Sequence, residues 1–170
     1  TLSYYSFGGI LADDMGLGKT IQAIALLLSE LDGATRPSII VAPTSLIYNW
    51  RAELDKFAPD LPYRLIVGSA AERKALLADI APGELLITSY DALKRDIELY
   101  DEIEFEYCIA DEAQYIKNHY TQNAQAVKSL ASRVRFALTG TPMENSLADL
   151  WSIMDFVMPG YLLRWQKFKA

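Results

Sequence analysis

Short apolar segments alternate with stretches of helical periodicity from one end of the sequence to the other. Most of these segments are continuously apolar, and several are rich in β-branched residues. This pattern is typical of a parallel sheet whose strands are covered on both faces by crossover helices. The sequence therefore predicts an α/β fold with a parallel β-sheet flanked by helices on both faces. The predicted strands are Gly9–Ala12, Ile39–Ala42, Arg64–Val67, Leu85–Thr88, Tyr107–Asp111 and Arg135–Thr139.

The segments between the predicted strands carry apolar residues at the spacing of one helix face. After the first predicted strand these residues are Ile21, Ile24, Ala25, Leu28 and Leu31, and we expect them to face the core. The chain has 170 residues and no linker or internal repeat that divides it. This is the size of one domain.

A glycine-rich segment joins the first predicted strand to the first predicted helix. Gly16 and Gly18 permit backbone conformations that turn successive N–H groups toward one point, which the positive end of the helix also faces. Lys19 supplies a positive charge for the outer phosphates, and the Thr20 hydroxyl is placed to hold Mg²⁺. The segment therefore predicts a nucleotide-phosphate site. The general pattern G-x-x-x-x-G-K-[ST] has glycine at the position of Asp13, so it matches only from Gly18 onward.

Two adjacent carboxylates, Asp111 and Glu112, lie at the end of the fifth predicted strand. In a doubly wound sheet, ligands bind at the carboxyl ends of the strands, where the glycine-rich segment also lies. Asp111 is therefore predicted to hold Mg²⁺, and Glu112 to polarise the water that attacks the terminal phosphorus. The alternative is a solvated acidic pair, which the glycine-rich segment upstream disfavours. With Lys19, these two residues form the predicted catalytic set.

A turn with two hydroxyl groups, Thr139-Gly140-Thr141, follows the apolar part of the sixth predicted strand. One interpretation is a tight turn before a helix. The other is a polar relay that couples the nucleotide to a nucleic acid. Both interpretations stay open on the residues alone.

Composition excludes several kinds of protein and of site. The single cysteine, Cys108, cannot form an internal disulfide, and with His119 as the single histidine the chain lacks the ligands of a structural zinc site. Cys108 lies in an apolar run and is predicted to be a core residue, whereas His119 is predicted to be solvated. The net charge of −6 argues against nucleic-acid binding by bulk electrostatic attraction, so any such contact must be local.

These elements, in this order, resemble the first RecA-like lobe of superfamily-two helicases, specifically the Swi/Snf-type chromatin-remodelling ATPases and their bacterial relatives. That family's own version of motif I has an aspartate at the position of Asp13, so the departure from the general pattern supports the resemblance. The resemblance covers essentially the whole chain. The segments similar to motifs I, Ia, Ib, II and III with their extensions are residues 9–20, 41–50, 87–93, 111–118 and 138–151.

The resemblance implies that residues 1–170 are an N-terminal RecA-like lobe that binds ATP with Mg²⁺. It implies that the lobe works with a second RecA-like lobe, whose arginine finger we expect to be absent from this chain together with the upstream glutamine motif. We therefore expect these residues alone to bind nucleotide but hardly to hydrolyse it. The residues implied in the nucleotide site are Asp13, Asp14, Met15, Gly16, Leu17, Gly18, Lys19, Thr20 and Gln114.

By the same resemblance, the loops after the second and fourth predicted strands contact the phosphate backbone of a nucleic acid. Hydroxyl groups and backbone amides suit this contact because they bind phosphate without reading the base. The family moves along double-stranded DNA, so we expect an ATP-driven translocase in the bacterial cytoplasm, at the nucleoid, or in a eukaryotic nucleus. The residues implied in this contact are Thr44, Ser45, Thr88, Ser89 and Tyr90.

Two other functions stay open. A strand-separating DNA or RNA helicase of the same superfamily would share the nucleotide chemistry. A non-hydrolysing, nucleotide-binding scaffold lobe is the second alternative, and the presence of Lys19, Asp111 and Glu112 disfavours it. A serine or cysteine hydrolase is disfavoured because the sequence lacks G-x-S-x-G.

Overall fold

The chain folds around a parallel sheet. The computed structural model describes residues 8–12, 17–140 and 146–169. Six strands pair in the order β1-β6-β5-β2-β4-β3, and every pairing is parallel. The predicted α/β fold with a parallel sheet is confirmed. The strands are β1 (Gly9–Ala12), β2 (Ser38–Ala42), β3 (Tyr63–Leu65), β4 (Leu85–Ser89), β5 (Glu104–Ala110) and β6 (Ala131–Thr139).

Helices cover both faces of this sheet. None of the described helices is long and apolar enough to cross a membrane. Within the described ranges, 3-10 turns lie at Thr44–Leu46, Ile97–Tyr100 and Ala113–Ile116. The helices are α1 (Leu17–Glu30), α2 (Ile47–Phe57), α3 (Ala70–Leu76), α4 (Tyr90–Arg95), α5 (Gln122–Ser129), α6 (Leu147–Val157) and α7 (Trp165–Phe168).

Successive side chains of the central strands enter two separate cores. In β2, Ile39 and Val41 pack with residues of α4, α5 and α6, whereas Ile40 and Ala42 pack with residues of α1 and α2. All four side chains are fully buried. Because side chains alternate across a strand, a strand covered on both faces exposes neither set of side chains to water. This burial explains why the strands are continuously apolar in the sequence.

Helix α1 buries a different stripe from the predicted one. Ile24 and Leu27 lie in the core, whereas Ile21, Ala25 and Leu28 are exposed. The prediction was wrong for these three residues. Most positions of this helix are apolar, so the spacing allows more than one apolar face, and packing against the sheet and α2 determines which face is buried.

The N-terminal parts of two central strands extend beyond the predicted ranges. β5 begins at Glu104 and β6 at Ala131, and both extensions carry polar residues. Across this pair, the Arg133 guanidinium donates to the Glu106 carboxylate. Phe105 and Val134 in these extensions are buried, but the polar residues beside them interrupt the continuously apolar runs from which the strand bounds were predicted. At the other end β5 stops at Ala110, so Asp111 lies just beyond the strand.

His119 is half-buried rather than fully solvated. Its ring centroid lies 5.0 Å from that of Trp151 and 5.9 Å from that of Trp165. Burial, together with the charge of Lys128, lowers the pKa of His119. The polar sequence around His119 gave no sign of this packing because both tryptophans come from later helices.

Cys108 is fully buried on β5, as predicted. Burial raises the pKa of its thiol to about 12, and the thiolate is the reactive form. We expect N-ethylmaleimide to leave Cys108 unmodified in the native protein at pH 8 and to modify it fully in urea. Peptide mass spectrometry after a short labelling pulse measures both states. Rapid labelling of the native protein would contradict the packing described here.

Candidate active site

The carboxyl ends of three neighbouring strands bring the predicted site segments together. Asp111 and Glu112 follow β5, and Thr139 is the last residue of its neighbour β6. The next strand across is β1, which precedes α1. Because all these strands are parallel, their carboxyl ends lie at one edge of the sheet. The start of α1, which carries Lys19 and Thr20, and the acidic pair therefore come to the same edge.

The glycine-rich segment is described from its C-terminal part onward. α1 begins at Leu17, and its first turn holds Lys19, which is 5% exposed, and the half-buried Thr20. The first N–H groups of a helix have no partner within it, so this end of α1 attracts an anion. Asp13, Asp14, Met15 and Gly16 lie outside the described residues, as does the side chain of Leu17.

A cleft of ≈ 240 Å³ opens beside the first turn of α1, along α2 and the end of β5. It contains the three predicted catalytic residues, Lys19, Asp111 and Glu112, together with the predicted metal ligand Thr20. The structure therefore brings these four residues to one cleft. Its lining residues are Lys19, Thr20, Leu46, Asn49, Trp50, Glu53, Asp111 and Glu112.

Asp111 is held by hydrogen bonds from three directions. The Trp50 indole Nε1–H donates to Asp111 Oδ2 at 2.8 Å. The backbone N–H of Glu112 donates to Asp111 Oδ1 at 2.8 Å. The Tyr90 hydroxyl donates to the Asp111 backbone carbonyl at 2.6 Å. Helices α2 and α4 thus both contribute a side chain that fixes this residue.

The Asp111 carboxylate lies in a poorly solvated position. It is 8% exposed, and burial raises its pKa. The hydrogen bonds from Trp50 and from the Glu112 N–H, and the charge of Lys19, act in the opposite direction. A buried carboxylate that retains its charge needs such partners. A divalent cation in the cleft would favour the charged form further.

The residues present fit Mg²⁺ bound together with phosphate. Among the described residues there is no group of three or more His, Cys, Asp or Glu side chains that could hold a metal ion. Mg²⁺ is usually held by one or two carboxylates, water and substrate phosphates rather than by a cage of protein ligands. Each oxygen of Asp111 accepts one hydrogen bond from the protein and has a second acceptor site. Asp111, with the Thr20 hydroxyl, is therefore able to hold the ion.

Glu112 has a left-handed backbone conformation, with φ 49° and ψ 57°. Few residues other than glycine adopt this conformation, and it is concentrated at functional sites. The turn directs the Glu112 side chain toward Gln114, whose Nε2–H donates to Glu112 Oε2. The Thr139 hydroxyl in turn donates to Gln114 Oε1 at 3.3 Å. Glu112, Gln114 and Thr139 thus form one hydrogen-bonded relay between β5 and β6.

The relay contains Gln114, which was predicted to bind the nucleotide, and Thr139, which was predicted to couple the nucleotide to a nucleic acid. Gln114 contacts Glu112 and Thr139 and is not among the residues that line the cleft, so its role at the nucleotide stays a prediction. Thr139 and Gly140 lie at the end of β6, beside the acidic pair, as a coupling role requires. Thr141, the third predicted coupling residue, lies outside the described residues.

The five residues predicted to contact nucleic acid differ in exposure. Thr44 and Ser45 are exposed in the 3-10 turn after β2, and their predicted role stays a prediction. Ser89 is buried, and its hydroxyl accepts a hydrogen bond from the Ala92 N–H at 3.0 Å. It caps α4, so its hydroxyl is already engaged.

Thr88 and Tyr90 are buried, at 0% and 2% exposure. Their side chains are therefore covered in this structure, so a contact with nucleic acid at these positions would have to come from the backbone, and their predicted role stays a prediction. Thr88 lies within β4, where both faces are covered. Tyr90 faces the inner side of α4 because its hydroxyl binds the Asp111 carbonyl. The motif resemblance located the loop correctly at the sheet edge but did not indicate which side chains face outward.

Sequence reasoning missed the two residues that anchor Asp111. Trp50 lies in the segment similar to motif Ia but was given no role in the site, and Tyr90 was assigned to a nucleic-acid contact. One general signal was present: a buried indole N–H or phenol O–H needs a polar partner. The sequence therefore indicates that Trp50 and Tyr90 need hydrogen-bond acceptors if they are buried. It does not identify Asp111 as the residue that supplies them.

We expect Tyr90→Phe to lower the free energy of unfolding by about 1–2 kcal/mol, because the buried Asp111 carbonyl loses its side-chain donor. Urea denaturation measures the change. Tyr115→Phe is the matched control, since Tyr115 is exposed and its ring stacks on Tyr90 at 5.2 Å. The control should change stability by less than about 0.5 kcal/mol. Equal effects of the two substitutions would contradict the anchoring role of Tyr90.

Comparisons with known proteins agree with this geometry. The TATA-binding protein-associated factor MOT1 of Saccharomyces cerevisiae is 37% identical over 174 residues, which cover 95% of this chain and 9% of that protein. A protein of Mycoplasma pneumoniae named an uncharacterized ATP-dependent helicase is 44% identical over 158 residues, which cover 92% of this chain and 15% of that protein. The chain thus spans a minor part of these relatives.

A solved structure gives the same result. The Sulfolobus solfataricus SWI2/SNF2 ATPase core in complex with dsDNA superposes with a TM-score of 0.87 and 42% identity, covering 99% of this chain and 35% of that one. The family described as the SNF2-related domain matches residues 3–170. The resemblance drawn from the order of the motifs is confirmed, and this chain belongs to the SNF2-related domain family.

Proposed function

We propose that this chain is the ATP-binding lobe of a DNA-dependent ATPase that moves along double-stranded DNA. One observation carries the proposal: Lys19, Asp111 and Glu112 line the same cleft at the N-terminal end of α1. A cation, a buried carboxylate and a second carboxylate beside a helix N-terminus are the groups that phosphoryl transfer to water needs. Family membership supports the same activity.

Each of these residues has a distinct role in the proposed reaction. Lys19 and the first N–H groups of α1 bind and orient the phosphates. Asp111 and Thr20 hold Mg²⁺, which supplies charge neutralisation at the phosphate oxygens when it is bound. Glu112 orients the attacking water and accepts its proton. The hydrogen bond from Gln114 restrains the Glu112 carboxylate before nucleotide arrives.

The proposed nucleic-acid partner is duplex DNA. The support is the similarity to a SWI2/SNF2 ATPase core whose structure contains dsDNA, together with the exposed hydroxyls of Thr44 and Ser45. Hydroxyls at a helix start bind phosphate without reading sequence. The exposed Arg95 lines a hollow of ≈ 380 Å³ that includes Thr44 and Ser89. Asp91 also lines this hollow and pairs with Lys94, so Arg95 supplies a local positive charge.

We further propose that a second RecA-like lobe of the same protein completes the active site. The chain covers 35% of the similar SWI2/SNF2 core, which leaves room there for a lobe of comparable size. An arginine from such a lobe stabilises the charge of the transition state, and related systems gain about 10³ to 10⁵ in rate from it. The activity proposed here therefore belongs to the two lobes together. DNA as the substrate implies a location at the bacterial nucleoid or in a eukaryotic nucleus.

Glu112→Gln should lower ATP turnover by about 10² to 10⁴-fold, because the variant loses the general base, while ATP binding persists. Phosphate release by the full natural protein, with Mg²⁺ and saturating duplex DNA, measures turnover. Binding of a fluorescent ATP analogue measures affinity. The matched control is Glu104→Gln, an exposed glutamate at the opposite end of β5 that pairs with Arg36. Turnover that survives in the Glu112 variant would exclude the assigned role.

The same assay separates the open alternatives. Stimulation mainly by duplex DNA supports a translocase. Stimulation mainly by RNA would assign the protein to the RNA helicases, and robust strand separation would favour an unwinding helicase. A wild-type protein that binds ATP without turnover on any nucleic acid would favour the scaffold lobe.

The double variant Thr44→Ala/Ser45→Ala should raise the duplex DNA concentration that gives half-maximal ATPase stimulation by about 30-fold. Two hydrogen bonds to phosphate are lost, and each contributes about 1 kcal/mol. The control is Thr35→Ala, because Thr35 is exposed before the opposite end of the same strand, β2. If the double variant needs no more DNA than the wild type, the turn after β2 does not contact the duplex.

A further inference from the structure

Trp50 combines two features that a core residue alone does not require. Its side chain is 2% exposed and lies in the apolar core between α2 and the sheet. Its indole N–H nevertheless donates to Asp111 Oδ2 at 2.8 Å, across a sequence separation of 61 residues. A phenylalanine would fill most of the same space, whereas only the indole supplies this donor.

The two hydrogen bonds to the Asp111 side chain fix the plane of its carboxylate. The torsion between Cβ and the carboxyl group is soft, so one hydrogen bond leaves the carboxylate able to rotate. Here Oδ1 accepts from the Glu112 N–H and Oδ2 accepts from Trp50. The first donor belongs to the adjacent residue and moves with Asp111. Trp50, from helix α2, is therefore the donor that fixes the carboxylate relative to another part of the fold.

Orientation matters for the metal that the carboxylate is proposed to hold. Mg²⁺ requires near-octahedral geometry and tolerates little deviation. Side chains that bind a metal ligand from behind raise metal affinity by fixing that ligand, and their loss commonly costs 10–100-fold. Trp50 also lines the cleft itself, so it contacts Asp111 from within the proposed nucleotide site.

We propose that Trp50 is a positioning residue for Asp111, whose indole N–H sets the carboxylate orientation for the Mg²⁺-bound nucleotide. This inference rests on the proposed nucleotide site. Trp50 is packed as a core residue, and the inference gives it a specific effect on the part of the nucleotide affinity that depends on Mg²⁺. The part of nucleotide binding that needs no metal comes from Lys19 and the N-terminal end of α1, which Trp50→Phe leaves in place.

The test measures the Kd of a fluorescent ATP analogue for the full natural protein, once with Mg²⁺ and once with EDTA. Trp50→Phe should weaken binding by about 10-fold or more in Mg²⁺ and by less than about twofold in EDTA. A role in packing alone would weaken both to the same extent. ATP turnover under saturating nucleotide should fall as well, and the Mg²⁺ concentration for half-maximal turnover should rise.

Trp151→Phe is the matched control. Trp151 is also buried, and its indole N–H donates to the Leu163 carbonyl at 3.1 Å, in a different part of the fold. This variant should leave the ratio of the two Kd values unchanged. If Trp50→Phe unfolds the protein, β-(3-benzothienyl)alanine at position 50 replaces the N–H with sulfur and keeps the ring size. The same split between Mg²⁺ and EDTA is expected for it.

The outcomes distinguish the two proposals. The inference would be overturned if the ratio of the Kd in EDTA to the Kd in Mg²⁺ were the same in the wild type and in the Trp50 variants. The proposed function would stand in that case, provided that the wild type binds nucleotide more tightly with Mg²⁺. A wild-type protein that binds no nucleotide would overturn both. Lys19→Ala should weaken binding in Mg²⁺ and in EDTA alike if the nucleotide occupies the proposed site. Nucleotide binding that this variant leaves unchanged would also overturn both proposals.

Discussion

Parallel pairing of β5 between β6 and β2 is the constraint on which the proposed site depends. Because these strands run in one direction, residues that are distant in the chain leave the sheet at the same edge. Asp111 and Glu112 meet Thr139 on one side and the turn at Thr44–Leu46 on the other. The buried, apolar strands therefore stabilise the fold and place the polar groups of the site at the same time.

This arrangement buries the Asp111 carboxylate, which is unfavourable in free energy. Groups from the surrounding elements offset this cost. An isolated buried carboxylate is strongly unfavourable, but here Trp50 and the Glu112 N–H solvate its oxygens, and the charge of Lys19 lies close enough to favour the anion. Trp50 comes from α2, which follows the exposed turn after β2. Tyr90, which binds the Asp111 carbonyl, starts α4 after β4. A shift of either helix would therefore be transmitted to Asp111.

The sequence predicted the parts of the molecule that follow from local pattern. The six strands, their parallel direction and the meeting of Lys19 with Asp111 follow from apolar runs and from the order of the motifs. Side-chain direction did not follow: Ile21 and Leu28 face outward on an apolar helix, and Thr88 and Tyr90 face inward on a motif expected to contact nucleic acid. The contact of Trp50 with Asp111 joins residues 61 positions apart, and only the packing of α2 on the sheet creates it.

The relay from Thr139 through Gln114 to Glu112 gives the coupling segment a physical route to the proposed reaction. Each side chain in it has a second possible partner, because an amide both donates and accepts and a hydroxyl rotates. Gln114 uses its amide N–H on Glu112 and its carbonyl on Thr139, so a displacement of β6 relative to β5 changes both contacts together. The position of Glu112 is thereby tied to Thr139, the first residue of the turn that is predicted to couple the nucleotide to a nucleic acid.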